Sequence, residues 1–77
     1  MANFGQEATR ADHLQASKDR ALEYLPTNPI EAVTSMISDM RKHRETAPIM
    51  EGPFPMVGML EGQKGPEAAR RWIEGFN

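Results

Sequence analysis

Three segments with helical spacing of apolar residues, each opened by a capping residue or a proline, predict an all-α fold. No stretch alternates apolar and polar residues for long enough to make a strand, and no internal repeat is present. The expected architecture is a small bundle of three main helices, with a short fourth helix or turn in an apolar, Gly- and Pro-rich connection. Residues 9–77 are expected to form one helical domain and residues 1–8 a flexible arm. A chain of 77 residues buries only roughly 60 % of the surface its unfolded form exposes, so the core must be small.

The first helix is expected from Thr9 or Asp12 to about Leu25, because Thr9/Asp12 and Asp12/Gln15 are both cap-like spacings. Leu14, Ala21, Leu22 and Leu25 form its thin apolar stripe, edged by Ala11 and Lys18. Pro26-Thr27-Asn28-Pro29 stops this helix and restarts the chain, which folds the second helix back as a helical hairpin. The second helix carries the strongest signal of the sequence. Asn28 can cap it, Pro29 suits its first position, and Glu31 stands at the third position of a capping box. Ile30, Val33, Met36, Ile37 and Met40 then recur on one face, and Arg41, Lys42, His43 and Arg44 close the segment where the helix dipole favours positive charge.

After Thr46 the character changes. Pro48, Pro53 and Pro55 with Gly52, Gly58 and Gly62 interrupt a run that is nevertheless strongly apolar. Pro55 can open a short helix to about Leu60 or Glu61, and Gln63-Lys64-Gly65 reads as a polar turn. Gly65-Pro66-Glu67 starts the last helix, in which Ala69, Trp72, Ile73 and Phe76 share one face almost to the end of the chain. The carboxyl-terminal residues are therefore expected in the core.

Composition narrows the chemistry. The chain has no cysteine, which removes disulfides and thiolate metal sites and fits a reducing cytoplasm. The first seven residues lack the basic and apolar regions of a signal peptide, and no run approaches the roughly 18 apolar residues of a membrane span, so no membrane partner is expected. Nine Lys plus Arg against eleven Asp plus Glu give a net charge of −2, so phosphate backbones exert no bulk attraction.

No catalytic, metal or cofactor motif is found. His13 and His43 have no partner at metal-ligand or general-base spacing and read as exposed helix histidines. Ser17, Ser35 and Ser38 lie within helical patterns and read as surface residues, without the strained elbow that exposes a nucleophile. Carboxylates are scattered over polar faces, and so small a core leaves little room for a pocket of about 300 Å³. An enzyme is not expected.

Two candidate binding regions remain. One is the Met50–Leu60 segment, with Met50, Phe54, Met56, Val57 and Met59 as candidate partner-binding residues, since Met adapts to irregular surfaces. Most of its side chains are expected to close the open side of the hairpin, with some left exposed or pairing two copies of the chain. The other is a basic patch of Arg41, Lys42 and Arg44, to which Arg70 and Arg71 would add if the last helix lies alongside. Acidic neighbours Asp39, Glu45, Glu67 and Glu74 favour a solvated, dipole-matched helix end over a nucleic-acid grip.

The residues Ser38-Asp39-Met40-Arg41-Lys42-His43-Arg44-Glu45-Thr46 and the ending Trp72-Ile73-Glu74-Gly75-Phe76-Asn77 resemble small proteins encoded by bacteriophages and mobile elements of actinobacteria. The resemblance covers the second half of the chain, and no established activity comes with it. In that family the stretch after the basic segment is a more regular Gly- and Met-rich helix, which Pro53 and Pro55 interrupt here. What the resemblance implies is an accessory product that acts inside a host bacterium by binding a host protein. The expected function is thus a noncatalytic protein-protein interaction module, its partner a host protein or a second copy in a homodimer. The alternative is a small nucleic-acid-binding or transcription-modulating protein that uses the basic end of the second helix.

Overall fold

The Thr9 hydroxyl settles where the first helix begins: it accepts from the amide of Asp12 at 3.1 Å, which makes Thr9 the cap of α1, Arg10–Leu22. In the computed structural model, which describes residues 9–77, four α-helices and no strand are formed among the described residues. The arm expected over residues 1–8 lies outside them.

α1 ends three residues before the expected Leu25. A residue preceding proline avoids the helical region, so the chain tightens into turns whose amides bond three residues back, Tyr24 to Ala21 and Leu25 to Leu22, both at 3.1 Å. Leu25 is still buried beside Leu14 and Ala21. The stripe, however, is not purely apolar. His13 and Ser17 are buried on α1 as well, whereas both had been expected at the surface.

α2 spans Pro29–Arg41, and the Asn28 side chain accepts from the Glu31 amide at 3.2 Å. The reciprocal half of the capping box is absent because the Asn28 amide already donates to the Tyr24 carbonyl at 2.9 Å. Val33, Met36, Ile37 and Met40 are buried as the periodicity requires, but Ile30 stands largely exposed on the first turn. The helix stops at Arg41, short of Arg44, since the buried Thr46 hydroxyl donates to the Met40 carbonyl at 2.6 Å and to the His43 carbonyl at 3.2 Å. His43 and Arg44 accordingly lie in the turn that follows.

A 3-10 stretch, Ala47–Glu51, then leads into α3, Phe54–Lys64. This third helix has 11 residues, longer than the short element expected and longer than α4, Pro66–Glu74, with nine. Pro53 and Pro55 do not interrupt it: they sit at its start, where no amide partner is needed, so the helix begins at them and runs through Gly58 and Gly62. Between α3 and α4 the chain turns at Gly65, whose φ of +126° and ψ of −179° lie in a region open essentially to glycine alone.

α2 is the central element, packed against α1, α3, α4 and the 3-10 stretch. The core gathers Leu14 and Ala21 of α1, Val33, Met36 and Met40 of α2, Met50, and Ala69, Ile73 and Phe76 of the carboxyl-terminal region. The Lys18 ammonium ties the end of the chain to α1, donating to the Phe76 carbonyl and, at 3.4 Å, to that of Glu74.

Candidate functional site

α3 is held by its small residues. Its buried positions are Gly58 and Gly62. Gly58 lies directly over the Trp72 indole, and Gly62 on the first turn of α2, where an added Cβ would meet Val33 Cγ2 at 3.3 Å and the Pro29 carbonyl at 3.4 Å. Glycine at these points lets the helix axis approach α2 and α4 more closely than any larger residue would. Most of its large side chains consequently face outward, while Met59 packs partly against the core.

Phe54, Met56, Val57 and Leu60 are 47 %, 70 %, 42 % and 54 % exposed. Positions 56, 57 and 60 share one outer face at helical spacing, and Phe54 stands at its amino end, its ring 5.7 Å from that of Phe76. Phe76 in turn meets Trp72 edge-on at 4.9 Å. The aromatic cluster anchors the base of the ridge, and the aliphatic tip is free.

Of the five candidate partner-binding residues, three are therefore on the surface. Met50 is not: at 2 % exposure it belongs to the core, where it fills the space between α2 and the amino end of α3. Met59 packs partly buried against the same core. Leu60 joins the exposed set. The expectation that most of the segment would be buried is reversed within α3, because glycines supply its contact face.

The basic candidates do not form one patch. Arg41, Lys42 and Arg44 are exposed at the carboxyl end of α2. Arg70 and Arg71 instead line an open groove with Pro26 and Lys64, on the side of the turn that precedes α2, and none of Arg41, Lys42 and Arg44 lines it with them. Lys42 lies 3.7 Å from Asp39, Arg70 lies 3.8 Å from Glu74, and Lys64 pairs with Glu61 at 3.0 Å. Arg41 and Arg44 form no ion pair among the described residues.

A polar cluster joins α1 to the end of α2, and sequence spacing gave no hint of it. The His13 and His43 rings stack with centroids 4.4 Å apart and planes 29° apart. His13 Nε2 donates to the Asp39 carbonyl at 3.0 Å, and the Ser17 hydroxyl donates to the His13 carbonyl at 2.9 Å. His43 Nδ1 accepts from the Glu45 amide at 3.1 Å. The Asp39 carboxylate bonds Arg20 Nε at 2.7 Å. His13 is only 7 % exposed, so its imidazole is a structural strut between helices. Residues 30 positions apart carry no local signal of such a contact.

Two open grooves exceed the pocket size expected. That between α1 and α2, about 440 Å³, is lined among others by Arg20, Tyr24, Ser35, Asp39 and Lys42; the one beside Arg70 and Arg71 measures about 690 Å³. Both arise between helix surfaces, outside the core, and both mix charges of opposite sign. Among the described residues no group of three or more His, Cys, Asp or Glu side chains could hold a metal ion, and no helix is long and apolar enough to cross a membrane. The chain matches no family model, and no curated protein or solved structure is significantly similar to it.

Proposed function

We propose that this chain is a noncatalytic protein-protein interaction module that docks through the outer face of α3. The observation that carries this reading is the inverted packing of that helix, which buries Gly58 and Gly62 and displays Met56, Val57 and Leu60. A contiguous apolar ridge on a rigid helix is the form in which a few side chains supply most of a binding energy. The resemblance of residues 38–46 and 72–77 to phage and mobile-element proteins supports a further step, that the partner is a host protein whose activity the module alters inside the cell.

The test is capture of a bacterial partner from lysate by the full chain and by two sets of variants. Met56→Ser with Leu60→Ser should abolish capture while leaving the melting curve unchanged. Replacing Arg41, Lys42 and Arg44 with Ala should alter chiefly the association rate. Arg41 and Arg44, exposed and without an ion pair among the described residues, favour the second reading, nucleic-acid binding. Submicromolar binding to duplex or RNA that falls steeply between about 50 and 200 mM salt, and vanishes with those three basic residues, would establish it instead.

A further inference from the structure

We infer that Met56 is an oxidation site, at which a peroxide converts the thioether to a sulfoxide and turns the outer face of α3 from apolar to polar without disturbing the fold. The inference rests on the interaction reading above and names a way in which that surface is regulated. The observation behind it is the distribution of methionine over the fold. Among the described residues, Met36, Met40 and Met50 are buried in the core, Met59 is partly buried against it, and Met56 is 70 % exposed. An oxidant in solution therefore reaches one sulfur far more readily than the others.

The position of Met56 makes the change consequential. It shares the ridge with Val57 and Leu60, and from Gly52 to Leu60 the chain carries no charged residue. A thioether reacts as the neutral sulfur: its lone pair attacks one oxygen of hydrogen peroxide, an S–O bond forms as the O–O bond breaks, and the second oxygen leaves as water after taking the proton of the first. Sulfur is oxidised by two electrons and the peroxide is reduced. The product is a polar, chiral side chain with an acceptor oxygen, which a docked apolar surface would have to desolvate. The attachment of α3 is untouched, since it depends on Gly58 and Gly62 against Trp72 and Val33. Oxidation of Met36 or Met40 would instead place a polar group in the core, from which their burial protects the domain. Methionine sulfoxide reductases reverse the modification, and the exposure that admits the peroxide admits them as well.

The test is treatment of the folded full chain with dilute hydrogen peroxide, followed over time by peptide mass spectrometry. Trypsin leaves Met50, Met56 and Met59 in one peptide, residues 45–64, so fragment ions assign the added oxygen. Met56 should be oxidised at least about tenfold faster than Met36, Met40 or Met50, and ahead of Met59. Retention on a hydrophobic-interaction column should fall while the melting curve stays unchanged, and reductases for both sulfoxide epimers should restore the retention. Met56→Leu, which stays apolar but has no sulfur, should keep its retention through the same treatment. Capture of a lysate partner should weaken by roughly tenfold for the oxidised chain and not for treated Met56→Leu. Buried methionines oxidised at a comparable rate, an unchanged retention, or a melting temperature lowered by oxidation at Met56 would overturn the inference. So would a partner held equally by the oxidised and the unoxidised chain; the interaction reading is then decided separately, by whether Met56→Ser with Leu60→Ser abolishes capture. Selective oxidation with lowered retention in a chain that captures nothing would sustain Met56 as the oxidation site and refute the interaction reading.

Discussion

Gly58 and Trp72 occupy contiguous space: a Cβ built on Gly58 would stand 2.5 Å from Cζ2 of the indole and 2.7 Å from Cε2. The obstacle is a fused ring wedged between α3 and α4, with no free end to swing aside. Gly58→Ala should therefore destabilise the domain even though Ala favours a helix by about 1 kcal/mol. Overpacking of about 1–3 kcal/mol, towards the upper end because a rigid ring cannot swing away, exceeds that gain and leaves a net loss of up to about 2 kcal/mol. The urea midpoint followed by Trp72 fluorescence checks it; an unchanged or raised midpoint would contradict the packing.

Gly65 is constrained by its backbone rather than by neighbours. An added Cβ would meet nothing within 4 Å, yet its φ of +126° excludes side chains. Gly65→Ala should cost about 1–3 kcal/mol through strain alone. Gly52, where a Cβ would only graze the Ile49 carbonyl at 4.0 Å, is the control, and Gly52→Ala should change stability by less than about 0.5 kcal/mol. Equal losses at both positions would be inconsistent with a strained turn at residue 65.

The imidazole contacts specify tautomers. A carbonyl can only accept, so His13 must carry its proton on Nε2 to bond Asp39. His43 must leave Nδ1 bare to accept from the Glu45 amide, which places its proton on Nε2 too. Long-range nitrogen–proton correlation spectra of the neutral rings should show both protonated at Nε2. An Nδ1–H signal from either ring would disprove that ring's hydrogen bond.

At the start of α2, Asn28→Ala removes the acceptor of the Glu31 amide and should lower stability by about 0.5–2 kcal/mol. Asn28→Asp, which keeps the acceptor, should restore most of it. Chemical denaturation of the three proteins decides the matter, with identical midpoints speaking against the cap.

Ending the chain after Arg71 should unfold it. Ile73 and Phe76 are buried, Trp72 is partly so, and Lys18 would lose both carbonyls it binds. Each large side chain contributes about 1.5–3 kcal/mol on burial, a large share of what so small a domain possesses. A truncated chain that melts cooperatively near the parent temperature would refute the structural role of the carboxyl terminus.

The all-helical character and the starts of α2 and α4 were legible because they rest on local chemistry, Asn28 as a cap and Pro66 at a first position, whereas the start of α1 was legible only to within a turn, Thr9 and Asp12 both offering cap-like spacings. The burial of Val33, Met36, Met40, Ile73 and Phe76 followed from spacing alone. α3 was harder to read. Sequence periodicity assumes that large apolar residues turn inward, and here the inward face is made of glycine, a residue that hydrophobicity does not score as a contact. The His13–His43 stack and the Lys18 link to Phe76 were beyond reach for a different reason, since both depend on how far-separated segments meet. The same holds for the two basic groups, whose separation is set by the placement of α4.

The division of labour within α3 also bears on how this protein can change. Residues that attach the helix and residues that meet the outside are separate sets, interleaved along the same eleven positions. A substitution at Met56 or Leu60 alters what a visitor encounters and leaves the scaffold untouched, whereas one at Gly58 or Gly62 is felt first by Trp72 or Val33. The exposed face can therefore be altered by single substitutions that carry little folding penalty.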